Sequence, residues 1–233
     1  MGGALVEVIP STIVNADMSI QRVILIPGMG ADHRLFDGIV LAGHVVLRTN
    51  WISHCDDEDL STYASRFAKH YGIGSADILI GVSMGGIIAG AIAQKVLPQR
   101  LILISSCTDI CQLSPLIAAL SPIGLFSPFE MARLLPRVLM PAHRKLALVM
   151  FEDQNMAFIR WACGAVMGWT GVPRLRGTVT IHGTSDRVFP IRRQPQVDVT
   201  IQDGGHLMVM DRATEIEAAI LAILPSGDAK PTA

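Results

Sequence analysis

Short apolar runs alternate with helical patterns along the first half of this chain, and that alternation leaves few folds open. Val23–Ile26 reads as a buried strand and Asp32–Leu41 as a helix with Asp32 as its N-cap. Val45–Arg48 is the next strand. Leu60–His70 places Leu60, Tyr63, Ala64 and Phe67 on one helical face, with Gly72 as its stop. Ile78–Ile80 reads as a strand, Met84–Val96 as a helix ended near Pro98, and Leu101–Ile104 as a strand. Strand–helix repetition of this kind implies a mostly parallel central sheet with helices on both faces, the α/β class.

The rhythm breaks at about Thr108. From there to Val172 the sequence offers broken apolar helical stretches and scattered prolines, with no clean strand. Strand character returns at Val179–His182 and Val197–Ile201, and a last helix spans Leu207–Leu224. The expected organisation is a core of residues 22–107 and 173–224, a helical cap of residues 108–172, an N-terminal extension of residues 1–21 and a flexible tail of residues 225–233. The chain has 233 residues, 50% of them hydrophobic and 17% charged, which excludes a disordered chain. With 19 basic against 20 acidic residues and no basic stripe, nothing points to nucleic acid. Ile110–Phe129 approaches membrane-spanning length, but Pro115, Pro122 and Pro128 interrupt it, so no transmembrane segment is expected. The N-terminus lacks a basic region followed by an apolar one, which suggests a cytoplasmic protein. Cys55, Cys107, Cys111 and Cys163 lack metal-site spacing and read as free thiols or small hydrophobes.

The sharpest local feature is Gly81-Val82-Ser83-Met84-Gly85-Gly86, set between a buried strand and a helix. A nucleophilic serine projects from such a turn only in a strained backbone conformation, and its neighbours two residues away must be small. The helix behind it presents N–H groups to a developing oxyanion. A serine hydroxyl is a weak nucleophile and needs a base, which in turn needs an orienting acid. His206, in Asp203-Gly204-Gly205-His206, follows the last strand and is the candidate base. Asp186, in His182-Gly183-Thr184-Ser185-Asp186, follows the strand before it and is the candidate acid; Asp109 is the weaker alternative. His182, at the end of an apolar strand, reads as a packed residue. His54 beside Asp56, Asp57 and Glu58 reads as part of a solvated acidic loop, so no metal is expected. The loop Pro27-Gly28-Met29-Gly30 lets backbone approach a ligand closely, and the N–H groups of Met29 and Met84 are the candidate oxyanion donors. Gly28 and His33 could touch substrate. No nucleotide loop is present, because Gly28-Met29-Gly30 lacks a third glycine and an acidic partner; no cofactor is implied.

Together these pieces, in the order Ser83, Asp186, His206, resemble the α/β-hydrolase superfamily, in its branch of small esterases and thioesterases. The resemblance covers about Arg22 to Leu224. It implies the α/β-hydrolase fold, Ser83 as nucleophile, His206 as base, Asp186 as orienting acid, and a cap over the site. It departs at Pro27, where relatives often carry His, and lacks the three-glycine loop of one lipase branch. The cap supplies apolar residues, among them Phe126 and Trp161, for a substrate pocket. The expected activity is hydrolysis of a small-to-medium apolar carboxylic ester through an acyl-serine intermediate. A thioesterase, C–C hydrolase or lyase on the same triad, and a ligand-binding protein without turnover, are the rival readings. The expected partner is a small apolar ester or acyl substrate.

Overall fold

The computed structural model describes residues 21–115 and 141–225. Six strands form one parallel sheet: β1 (Arg22–Ile26), β2 (Val45–Arg48), β3 (Ile78–Val82), β4 (Arg100–Ile104), β5 (Thr178–Gly183) and β6 (Val199–Ile201). Their order is β2-β1-β3-β4-β5-β6, and every neighbouring pair runs parallel. The central strand β3 is buried along its whole length, as its unbroken Ile78-Leu79-Ile80 run requires of a strand covered on both faces. The chain reverses its winding direction between β1 and β3, which opens a crevice at the carboxyl ends of those strands.

One apolar layer covers each face. On the first lie α1 (Leu60–His70) and α2 (Met84–Val96), packed on Ile24, Ile26, Leu79 and Leu101. On the second lie α5 (Met208–Asp211) and α6 (Ala213–Ile223), packed on Val23, Leu25, Ile80 and Ile102. Helix α1 starts at Asp59, whose carboxylate accepts the Thr62 N–H at 2.7 Å, and buries Leu60, Tyr63, Ala64, Phe67 and Ala68. Gly72, at φ 57°, follows its end.

Helix α3 (Pro141–Glu152) and helix α4 (Met156–Met167) come from the segment expected to form the cap. Ala147 and Met150 of α3 join the second layer, while Phe158, Ile159, Ala162 and Val166 of α4 join the first. The two helices therefore straddle the sheet. Arg34, in the turn after β1, bridges to Asp153 between them at 2.6 Å, and His143 of α3 pairs with Asp211 of α5 at 2.7 Å.

Two expected helices differ. Asp32–Leu41 contains only a single 3-10 turn, His33–Phe36. Asp32 does cap it, accepting the Arg34 N–H at 2.9 Å. Beyond the turn, side chains rather than a helix satisfy the backbone: Glu217 accepts the Val40 N–H and Arg48 donates to the Ile39 carbonyl. The last helix is broken at Arg212, at φ −128° and ψ 36°, into α5 and α6. All four cysteines are free. Among the described residues no helix is long and apolar enough to cross a membrane. The expected tail lies almost wholly outside the described residues, as does most of the N-terminal extension.

Candidate active site

Ser83 sits between β3 and α2 with φ 54° and ψ −123°, a conformation that side-chain-bearing residues rarely adopt. Its surroundings explain the flanking glycines. A Cβ on Gly81 would collide with the Gly85 backbone, and one on Gly85 would collide with the carbonyls of Ile26 and Pro27. The turn is thus wedged against the end of β1, where the loop Pro27-Gly28-Met29-Gly30 begins. Ser106, just past β4, donates from its hydroxyl to the Ser83 carbonyl at 2.7 Å and braces the turn from the other side.

His206 brings Nε2 to 2.9 Å from the Ser83 hydroxyl, and its Nδ1 lies 3.1 and 3.2 Å from the two oxygens of Asp186. The Asp186 side chain is wholly buried and that of His206 nearly so. Burial works against the Asp186 charge. Pairing with His206, and the N–H groups of Phe189 and Val188 at 3.0 and 2.8 Å, outweigh that penalty and hold the carboxyl below its ordinary range. An ionised Asp186 can only accept, so His206 carries its proton on Nδ1 and presents Nε2 as acceptor to the Ser83 O–H.

The loop after β1 approaches from the opposite side. A Cβ on Gly28 would meet the Ser83 Cβ at 3.4 Å. Among the described residues neither the Met29 nor the Met84 N–H donates to a backbone carbonyl. The Met29 sulfur accepts from the Cys163 thiol of α4 at 3.6 Å, tying that helix to the loop.

The remaining sequence candidates are placed as follows. His33 hydrogen-bonds Asn50 through its backbone N–H at 3.0 Å, and its Nδ1 lies 2.9 Å from the same amide oxygen. Trp161 packs on Tyr63 and stacks on His54, and its indole N–H donates to the Glu58 carbonyl at 2.8 Å, so its ring serves the docking of α4 on α1. Phe126 lies outside the described residues. Asp109 accepts the Cys111 N–H at 2.8 Å and caps a short turn instead of approaching His206.

Three contributors escaped sequence reasoning. Ser106 carries no motif of its own. Gly183 and Gly204 touch so closely that a Cβ on Gly183 would strike the Gly204 carbonyl, and this contact brings the Asp186 and His206 loops together. Only the glycines themselves hinted at it. Trp51, whose indole N–H donates to the Gly28 carbonyl at 3.2 Å, steadies the loop after β1 from the loop after β2; nothing near it in sequence signals that role.

A model of the alpha/beta hydrolase family matches residues 23–219. No curated protein sequence matches the chain. Solved structures do. A thermophilic esterase from Thermogutta terrifontis is 20% identical, with a TM-score of 0.69 over 86% of this chain and 88% of that one. A hydrolase from Pseudomonas aeruginosa is 18% identical, with a TM-score of 0.71 over 91% and 92%. The enol-lactonase from Burkholderia xenovorans is 16% identical, with a TM-score of 0.71 over 88% and 91%. At such identities the likeness is one of fold.

Proposed function

Since the chain belongs to the alpha/beta hydrolase family, we propose that it is a serine hydrolase that cleaves a small-to-medium apolar carboxylic ester through an acyl-serine intermediate. The observation that carries the reading is the unbroken chain from the Ser83 hydroxyl through His206 to Asp186, at 2.9 Å and then 3.1 Å. A strained, buried-strand serine aligned with a histidine whose far nitrogen meets a buried carboxylate is the arrangement that serine activation requires.

In this reading His206 Nε2 takes the Ser83 proton as Oγ attacks the ester carbonyl. The tetrahedral oxyanion receives the N–H groups of Met29 and Met84, donors fixed before the reaction and strengthened by the N-terminus of α2. As the C–O bond breaks, His206 returns the proton to the leaving alkoxide, and the alcohol departs. Water enters, gives its proton to His206, and its oxygen attacks the acyl carbon. Collapse releases the carboxylic acid and restores the Ser83 O–H. Asp186 stays ionised throughout, orienting the ring and stabilising the imidazolium. Residues 108–172 act as the cap that shapes the acyl pocket; the contact between Cys163 of α4 and Met29 supports this.

The test is labelling with a fluorophosphonate, read by intact mass. Wild type is expected to gain one label per chain, Ser83→Ala none, and His206→Ala a rate at least about a hundredfold lower, in line with the loss of an aligned general base. Folded wild type that takes no label would overturn the reading. A panel of ethyl and p-nitrophenyl esters, thioesters and β-diketones then reads the bond cleaved.

A further inference from the structure

A cavity of about 310 Å³ opens beside the oxyanion loop, walled by three segments far apart in sequence. Asp32 and His33 come from the turn after β1, Asn50 and Trp51 from the loop after β2, and Gln154 and Asn155 from the turn between α3 and α4. Trp51 links this cavity to the loop that lies against the nucleophile. It lines the cavity, its indole N–H donates to the Gly28 carbonyl, and Gly28 lies against Ser83. The cavity is at the small end of sizes that hold a ligand, suited to a group between glycerol and a hexose.

Its charge pattern selects against ions. Asp32 and Asp153 share one guanidinium, that of Arg34, at 2.5 and 2.6 Å. Two carboxylates on one cation repel an anion. Both are already engaged, so neither is left to choose a cation. What remains is neutral and directional. The Asn50 oxygen is occupied by His33, which leaves its amide hydrogens as donors. The Asn155 oxygen caps α4 through the Ala157 and Phe158 N–H groups, which leaves its amide hydrogens likewise. Gln154 spends its amide on the Met150 carbonyl at 3.1 Å, leaving its oxygen to accept. These side chains are oriented by their occupied ends before any ligand arrives. They line the cavity together with Trp51 and Phe158, whose ring centroids are 5.4 Å apart. Fixed amide donors and an amide acceptor next to aromatic rings suit hydroxyl groups, each of which both donates and accepts.

We propose that this cavity binds a hydroxyl-rich alcohol half of the substrate, so that the protein favours esters of glycerol or of a small sugar over esters of simple alkanols. The proposal rests on the ester-hydrolase reading above: the apolar acyl half lies under the cap and the hydroxyl-bearing half beside Trp51.

Two measurements test it separately from that reading. The first is the ratio of kcat/KM for glyceryl monobutyrate to that for ethyl butyrate, followed by titrating released acid. Wild type is expected to favour the glyceryl ester by about tenfold, the effect of one to two well-made hydrogen bonds. Asn50→Asp, which keeps the acceptor for His33 but has no amide hydrogens, and Gln154→Ala should each cut that ratio several-fold. Equal turnover of the two esters by wild type, or an unchanged ratio in both variants, overturns the proposal. The second measurement needs no turnover. Ser83→Ala protein labelled with nitrogen-15 shows three indole N–H resonances, one for each tryptophan of the chain. Titration with glyceryl monobutyrate should shift that of Trp51, assigned through Trp51→Phe, and ethyl butyrate should shift it less. A Trp51 shift in Ser83→Ala, with wild type hydrolysing neither ester, sustains the cavity and sinks the hydrolase reading. Hydrolysis without that shift does the reverse.

Discussion

Ser83 is held in a backbone region that costs about 1–3 kcal/mol for a residue with a side chain, and its neighbours fix it there. The Ser106 hydroxyl holds its carbonyl, and the glycines on both sides let β1 press against the turn. The second tight contact, Gly183 on Gly204, sets the spacing of Asp186 and His206 in the same manner. Gly183→Ala therefore separates the two loops by the width of a methyl group without touching any reacting side chain. Displacements near 1 Å in such a constellation cost on the order of a hundredfold in rate, so kcat on p-nitrophenyl butyrate is expected to fall about that far. The fluorophosphonate labelling rate should fall with it while Ser83 remains the labelled residue. Unchanged kinetics in the folded variant would show that the contact does not set the triad spacing. That Ser83, Asp186 and His206 come together was legible in sequence because each sits in a short motif just after a strand. Ser106, Gly183 with Gly204, and Trp51 were not, because their roles are contacts between segments 20 or more residues apart, and a single sequence carries no signal for such contacts.

Among the elements, the strands and the helices α1 and α2 follow from local pattern, since burial on both faces or on one face writes itself into the order of apolar residues. The segment of residues 108–172 did not yield in that way. The apolar residues of α3 and α4 serve two different layers, so no single period describes them. Trp161 illustrates the difficulty. As a large apolar residue in an expected cap it suggests a pocket wall, yet its indole N–H reaches the Glu58 carbonyl and its ring fills the space over Tyr63. The docking of α4 depends on this aromatic group, with Phe158 at its centre: 3% exposed and within 6 Å, centroid to centroid, of Trp51, Tyr63 and Trp161. Phe158→Ala leaves a void that neighbouring rings cannot collapse into, and a loss of about 3–5 kcal/mol is expected. Urea unfolding should report it as a lower midpoint. Because Phe158 faces Trp51, turnover of esters should fall as well, in contrast to the Asp59→Ala variant. That change removes only the N-cap of α1 and should cost about 1 kcal/mol with little effect on rate.

For the whole molecule, the fold places an imidazole outside the proposed triad in the middle of its core. His182, near the end of β5, is fully buried, and neither ring nitrogen has a hydrogen-bond partner among the described residues. Burial outweighs the attraction of Asp186, His206 adds its own repulsion, and the ring titrates at about 4 in place of 6.5. The consequence is a pH dependence of folding. Between pH 4 and 6.5 the unfolded chain binds a proton at His182 that the folded protein refuses. Stability therefore rises with pH across that window and levels off above it. The shift corresponds to about 3 kcal/mol lost as the pH falls from 6.5 to 4. The carboxyl of Asp186, held below its ordinary range, acts in the same direction but at lower pH, because its contribution is complete above the unfolded value and fades only as the pH falls through the folded one. His182→Phe separates the two. It removes the titration near pH 4 to 6.5 and leaves the Asp186 limb in place, so the curve of Tm against pH should flatten above pH 4 and still drop below it. The absolute Tm of the variant is not the readout, since a larger ring can shift it at every pH. The slope is the readout, and a slope between pH 4 and 6.5 equal to that of wild type would mean that His182 is protonated in the folded state and that another group drives acid unfolding.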